Sequence, residues 1–333
     1  SRKDSKKGIR DMLQSLKNKK VLVTGGGGMI GRQLVKLLQD KECDIYVADL
    51  KRPKDIDGIT YRKVDLTNYD TCVSICRGMD VVFNLVGIKA SPKIIEERPA
   101  DIMTPMLQFN TNMMGAAMKS EVDWYLYTST VGVYPPADVF VEDDVWKGYP
   151  SKLDWFGGWA KRMGELQAEA YSKQNGKSNV SIVRPANVYG EYDNFDPESS
   201  MVIPSLIRKA YENDVVSVWG DGSPIRDFIY AGDVARGMLH MVENKVTEPV
   251  NLGSGTGVTI KELAETITSK FKKEIVWDTD KPMGDMVRMF DTKRAESYGF
   301  TPSVSLKDGI SKTIEWFLSN VNLIDEKYHA FNR

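Results

Sequence analysis

The chain is poor in the residues that most often announce chemistry: among 333 residues there are two histidines and three cysteines. Cys43, Cys72 and Cys76 are odd in number and too few for a disulfide framework. Cys72 and Cys76 would share a helix face, yet no histidine or further cysteine accompanies them, so packing is expected and a metal site is not. His240 and His329 fall in no recognisable motif, which leaves general-base histidine chemistry without support. No run approaches the ~20 apolar residues of a membrane span, and the N-terminus lacks the apolar core of a secretion signal. A cytoplasmic protein with no membrane contact is therefore expected.

Charge is equally sparing. The formal net charge is −1, and the basic excess sits in the first twenty residues, where eight basic side chains face two acidic ones. No basic, aromatic-interleaved surface follows, so residues 1–20 read as a solvated leader and not as a nucleic-acid arm. With 41% hydrophobic residues the chain can bury a full core, and its length suggests roughly two domains.

The first strong element is "KKVLVTGGGGMIGRQLVKLLQD". An apolar run ends in glycines and passes into apolar residues at helical spacing, which predicts strand, tight turn and helix. Gly25, Gly28 and Gly31, with Met29 and Ile30 opening the helix, let the backbone approach a pyrophosphate at a helix N-terminus. A second strand ends at Asp49, close to the offset at which an acid holds an adenosine ribose. That acid repels a 2′-phosphate and favours NAD, although Lys51 and Arg52 beside it could serve NADP.

Further strands, "ITYRKVDL", "DVVFNLVG", "DWYLYTST" and "VSIVRPANVYG", alternate with helical stretches. This pattern predicts an α/β protein built on a Rossmann-type, doubly wound parallel sheet, with a smaller α/β C-terminal lobe for substrate. The expected division is a dinucleotide-binding domain over 21–186 plus about 227–255, and a lobe over about 187–226 plus 256–333.

In order along the chain come the glycine pattern, "VDL" at Asp65, "NLVG" at Asn84, "TSTVGVY" at Thr128, "RPANVYG" at Arg184, "RDFIYAGDVA" at Arg226 and "NLGSG" at Asn251. Together they resemble the extended short-chain dehydrogenases/reductases, the NAD-dependent epimerase/dehydratase family, over nearly everything after residue 20. Within it, "VYGEYDNFDPESSMVIPSLIRKA" and "VWGDGSPIRDFIY" are most similar to the GDP-L-fucose synthase branch, which epimerises and reduces GDP-4-keto-6-deoxymannose. The resemblance implies a nicotinamide cofactor touched also by Asp65, Leu66 and Asn84.

The same resemblance exposes a departure. The family carries Tyr-x-x-x-Lys on a helix, where i, i+4 spacing puts both side chains on one face. The lysine holds the nicotinamide ribose and lowers the phenol's pKa, and the phenolate moves the sugar hydroxyl proton. Here "GGWAK" keeps the lysine as Lys161 and places Gly157 where the tyrosine is due. Three readings stand open: an engineered inactive variant, a natural variant that recruits another acid/base, and a redox-silent binding protein.

Thr130 takes the place of the catalytic hydroxyl, with Ser129 beside it as a substrate contact. Val131 and Gly132 cannot supply the acidic pair of sugar 4,6-dehydratases, so dehydration is not expected. The cysteine and histidine that the GDP-L-fucose synthase branch uses at C3 and C5 fall on Gly132 and Tyr192. Tyr192 is a candidate for the missing phenol or, more simply, an aromatic lining the sugar pocket.

For substrate, Asn187, Val202, Arg208, Trp219 and Arg226 are the expected contacts, the arginines for their bidentate fit to pyrophosphate. The partners expected are a nucleotide-sugar, GDP-linked by preference, and a second copy of the chain. The resemblance implies a homodimer through a four-helix bundle, and "MTPMLQFNTNMMGAAM" suits either that buried face or the core.

Overall fold

Side chains alternate along each central strand between two separate cores. Val21 and Val23 enter one while Leu22 enters the other, and Val81 and Phe83 oppose Val82 in the same way. A strand buried on both faces needs covering layers on both, and period-two alternation supplies them.

The computed structural model describes residues 16–88, 92–197, 199–281 and 284–324. Most of the basic leader, and His329, lie outside the described residues. Leu16 is buried in the core, so the leader's end belongs to the fold.

In chain order the strands are β1 (Lys20–Thr24), β2 (Asp44–Asp49), β3 (Thr60–Lys63), β4 (Val81–Asn84), β5 (Trp124–Thr128), β6 (Val139–Phe140) and β7 (Val180–Pro185). They continue as β8 (Asn187–Tyr189), β9 (Val215–Trp219), β10 (Ile225–Tyr230), β11 (Val250–Leu252), β12 (Gly257–Thr259), β13 (Glu274–Asp278) and β14 (Val287–Phe290). The helices are α1 (Met29–Gln39), α2 (Tyr69–Cys76), α3 (Pro92–Glu97), α4 (Pro99–Lys119) and α5 (Trp155–Asn175). After them come α6 (Val202–Glu212), α7 (Ala231–Glu243), α8 (Ile260–Phe271), α9 (Lys293–Ser297) and α10 (Leu306–Ile324).

Seven strands form the large sheet in the order β11-β7-β5-β4-β1-β2-β3, all parallel. Helices α1 and α7 cover one face and α2, α4 and α5 the other. The order reverses at β1, which pairs with both β2 and β4, and ligands of such sheets bind in the crevice outside the strand C-termini there.

The smaller lobe has its own core under α6, α8 and α10. Its sheet runs β12-β10-β14-β6, with β8 on β10, and β9 pairs with β13 separately. The boundary expected near 227 thus falls inside β10, a strand of the small sheet, and the chain returns to the large domain only with α7 and β11. Strand β6, from within the first segment, also joins the small sheet through β14, because Phe140 stacks on Tyr134 and packs against Phe290. The methionines of α4 resolve toward the core: Met106, Met113 and Met114 are buried against the large sheet.

Candidate active site

The first turn after β1 is built so that only glycine fits. Gly25 has φ +67°, a Cβ on Gly26 would stand 2.7 Å from Val47, and one on Gly31 would stand 2.2 Å from the Gly25 carbonyl oxygen. These contacts press the start of α1 onto the turn, and Gly28 caps the helix without any side-chain hydrogen bond. The amides of that first turn are left for an anion, which is the fit a dinucleotide's pyrophosphate requires. Met29 and Ile30 are half-buried at this end.

Asp49 closes the same turn. Its carboxylate accepts from the Gly27 and Leu50 amides at 3.1 and 2.7 Å, and burial raises its pKa against those hydrogen bonds. Arg32 donates to the Gly27 carbonyl at 3.0 Å, so a cation also borders the turn.

Three expected cofactor contacts sit differently. The Asn84 side chain, 1% exposed, accepts the Thr24 hydroxyl at 2.7 Å and ties β1 to β4, so its polar atoms serve the crevice floor. Leu66 is buried, with its carbonyl bonded by Asn112, and Asp65 is exposed and caps its own turn through Thr67. Of the triplet, Asp65 alone is exposed.

Helix α5 carries the lysine, and its small residues decide how close it comes. A Cβ on Gly158 would stand 2.2 Å from the Gly132 carbonyl oxygen, and one on Gly164 would stand 2.2 Å from the Tyr127 hydroxyl. Tyr127 donates to the Lys161 carbonyl at 3.0 Å, and Arg162 donates to the carbonyls of Val133 and Gly148, both at 2.7 Å. The helix ends at Gly176 with φ +68°, the left-handed stop that glycine favours.

Lys161 is thereby held at the C-terminal edge of β5. Its ammonium donates to the Thr128 carbonyl at 2.8 Å, above the Tyr127 ring, and lies 4.0 Å from where a Gly87 Cβ would stand, beyond the end of β4. Burial lowers its pKa to about 8, with Glu165 pulling the other way. Gly157, four residues earlier, is different from its neighbour: a Cβ there would meet nothing within 4 Å. Packing does not demand glycine at this position.

Thr130 follows β5 with its hydroxyl 3.4 Å from the Gly132 amide, half-buried at the crevice. Ser129 points inward instead. Its hydroxyl donates to Glu165 at 2.5 Å, and Glu165 is clasped by Arg184 through contacts of 2.9 and 2.6 Å. A buried ion pair needs its remaining valences satisfied, and Ser129 is spent on that, which removes it from the substrate surface. Burial depresses the Arg184 guanidinium and the Glu165 carboxylate more than restores it.

On the small lobe, Arg226 of β10 and Arg288 of β14 are register partners. Burial and then the like charge of Arg288 lower the Arg226 guanidinium, which donates to its own strand at the Ile225 carbonyl, 2.9 Å away. Arg288 bonds Asp154 at 2.7 Å. Arg226 and Arg288, the one acted on by Asp285 and the other bonded to Asp154, present paired guanidinium groups whose fork geometry suits a diphosphate. Sequence reasoning missed Arg288: a lone arginine in "VRMF" carries no signal until the strand register places it beside Arg226.

The other expected substrate contacts vary. Asn187 donates to the Asp227 carbonyl at 2.9 Å, fixing β8 to β10, and Val202 opens α6, half-buried. Arg208 bonds Glu212 at 2.8 Å and the Phe195 carbonyl at 3.1 Å, so its charge is already answered within the lobe. Trp219, 58% exposed at the end of β9, has the Lys281 ammonium 5.7 Å from its ring. Tyr192 stands at φ +65° with its ring under the Arg32 guanidinium at 4.1 Å and beside Trp316 at 4.6 Å. These ring contacts join α1 to α10 through Tyr192.

Comparison with known proteins agrees with this geometry. Residues 21–253 match the NAD dependent epimerase/dehydratase family. GDP-L-fucose synthase 1 of Arabidopsis thaliana is 32% identical over 316 residues, spanning 92% of this chain and 95% of the relative. GDP-L-fucose synthase of Sinorhizobium fredii is 31% identical, spanning 92% and 98%. A GDP-L-fucose synthetase from Naegleria fowleri, solved bound to NADP, superposes with a TM-score of 0.78 over 92% of this chain and 96% of that one, at 22% identity. The cradle after β1, the lysine beside β5 and the match across the large domain place the chain in the NAD-dependent epimerase/dehydratase family.

Proposed function

We propose that the chain is an NAD(P)-dependent nucleotide-sugar epimerase or 4-keto reductase acting on a GDP-linked hexose, with hydride exchange at sugar C4. The observation that supports this reading is the placing of the glycine cradle and Lys161 at the C-terminal ends of β1 and β5, with the Thr130 turn reaching the Arg226–Arg288 pair through Asp154. The relatives named as GDP-L-fucose synthases support the GDP-sugar preference. Asp49 supports NAD over NADP, since a carboxylate repels a 2′-phosphate.

When bound, the nicotinamide dinucleotide supplies or takes up the hydride. The chain's own residues do the rest. Thr130 donates its hydroxyl to the reacting sugar oxygen, where charge develops, and the Lys161 ammonium would hold the cofactor's ribose. Arg226 and Arg288 grip the diphosphate and fix the sugar's reach.

A catalytically silent nucleotide-sugar or NAD-binding protein is the second reading, favoured by Gly157 alone. Mixing the protein with NAD(P)H and a 4-keto GDP-sugar distinguishes the two: loss of nicotinamide absorbance supports the enzyme, and binding without it supports the silent protein. Dimerisation through α4 and α5 is part of the proposal. Leu166, Trp155 and Phe156 are exposed apolar residues on α5, and light scattering showing a monomer would remove it.

A further inference from the structure

Asp154, at the start of α5, was singled out by no motif. A Cβ on Gly132 would come 3.1 Å from its Cβ and 3.2 Å from its Oδ1, so the Asp154 side chain fills the room a Gly132 side chain would take. Its other oxygen is held twice, by the Ser151 hydroxyl at 3.0 Å and by Arg288 at 2.7 Å. One carboxylate oxygen is anchored and the other is turned to the turn that follows Thr130. The side chain keeps 24% of its surface exposed, so a ligand can reach it.

Three neighbouring ionisable groups are already committed elsewhere. Glu165 is spent on Arg184 and Ser129, and Tyr134 is buried between Arg184 and Asn251. Lys161 is bonded to the Thr128 carbonyl at the β5 edge. Asp154 stands between the Thr130 turn, through Gly132, and the arginine pair, through Arg288. A pyranose with C4 at Thr130 and its diphosphate at Arg226 and Arg288 would lay its ring edge along Asp154.

Resting on the nucleotide-sugar reading, we infer that Asp154 is the base that removes the proton from the ring carbon adjacent to the 4-keto carbon. The C–H bond breaks, the carboxylate oxygen gains the proton, and the electron pair moves into an enolate whose C4 oxygen Thr130 holds. Water returns a proton to the opposite face, which inverts that carbon, and the Asp154 proton is lost to solvent. The step is redox-neutral and uses no hydride.

The test is deuterium wash-in. The protein is incubated in D2O with GDP-4-keto-6-deoxymannose and without reduced cofactor, and label at the carbons flanking C4 is read by NMR. Asp154→Asn keeps an oxygen for Ser151 and Arg288, so thermal melting, cofactor affinity and GDP-sugar affinity should hold. Exchange should fall by about 10²–10⁴. Should Asp154→Asn fail to fold, Gly132→Ala, whose methyl crowds the carboxylate, should slow exchange more than it weakens binding. Unchanged exchange in Asp154→Asn would overturn the assignment, as would a wild-type protein that reduces the ketone without exchange. A wild-type protein that binds no nucleotide-sugar overturns both this and the proposed function.

Discussion

Gly158 is pressed against the carbonyl of Gly132, where a Cβ would approach to 2.2 Å, and this contact docks the helix that carries Lys161 onto the turn that carries Thr130. Gly157, its neighbour, makes no such contact. The two glycines of "GG" therefore have separate reasons: one is demanded by packing and the other is not.

Substitution at the two positions should diverge. Gly157→Tyr should fold and melt at or above the wild-type temperature, since replacing glycine in a helix gains roughly 0.5 kcal/mol or less for an aromatic. Gly158→Ala should melt lower, because the added methyl separates α5 from the 130–133 turn. Differential scanning calorimetry on the pair checks this.

Lys161 should impose a pH limit on cofactor binding. Its pKa is lowered to about 8, so the ammonium is present below that pH and lost above it. NAD(P)H affinity, followed by fluorescence, should decline between roughly pH 7 and 9 on this reasoning. Lys161→Met should bind weakly with that inflection gone.

The Glu165–Arg184 pair should prove structural. Both side chains are almost fully buried, at 4% and 2% exposure. Removing one partner leaves the other charge unanswered, so Glu165→Gln should cost about 3–5 kcal/mol in urea unfolding. Ser129→Ala removes only a hydrogen bond to the pair and should cost roughly 1–3 kcal/mol, leaving GDP-sugar affinity intact.

Arg288 should matter for substrate and not for cofactor. Arg288→Met should weaken GDP-sugar binding by about 10- to 100-fold, the range for one charged hydrogen-bonding group, while NAD(P)H affinity is retained. Tyr192→Phe keeps the ring between Arg32 and Trp316, so turnover should be unchanged. A large loss there would restore Tyr192 as an acid/base. Calorimetric titration and steady-state kinetics read the two outcomes.

What the sequence made legible was local. The glycine turn and Asp49 after a second strand are patterns a few residues long, set by backbone sterics, while Lys161 followed from the family resemblance of its helix. What it hid depended on contacts across the fold. Asp154 meets Arg288 over 134 residues of separation, and Arg226 meets Arg288 only through the β10–β14 register. The family resemblance marked Ser129 and Asn84 as ligand contacts, and the fold bonds their side chains to buried partners, Glu165 and Thr24. Pattern shows that a side chain is present, not whether its hydrogen bonds are already spent.

The central proposal is that the chain turns over a nucleotide-sugar with Gly157 standing where the family resemblance expects a tyrosine. The direct measurement compares the protein with Gly157→Tyr in NAD(P)H and GDP-4-keto-6-deoxymannose, following nicotinamide absorbance and the stereochemistry of the product. The account predicts slow, measurable turnover by the chain as it stands, raised by about 10²–10⁴ when the tyrosine is supplied. No turnover by the chain as it stands, with cofactor and GDP-sugar both bound, would contradict it, whether or not Gly157→Tyr is active.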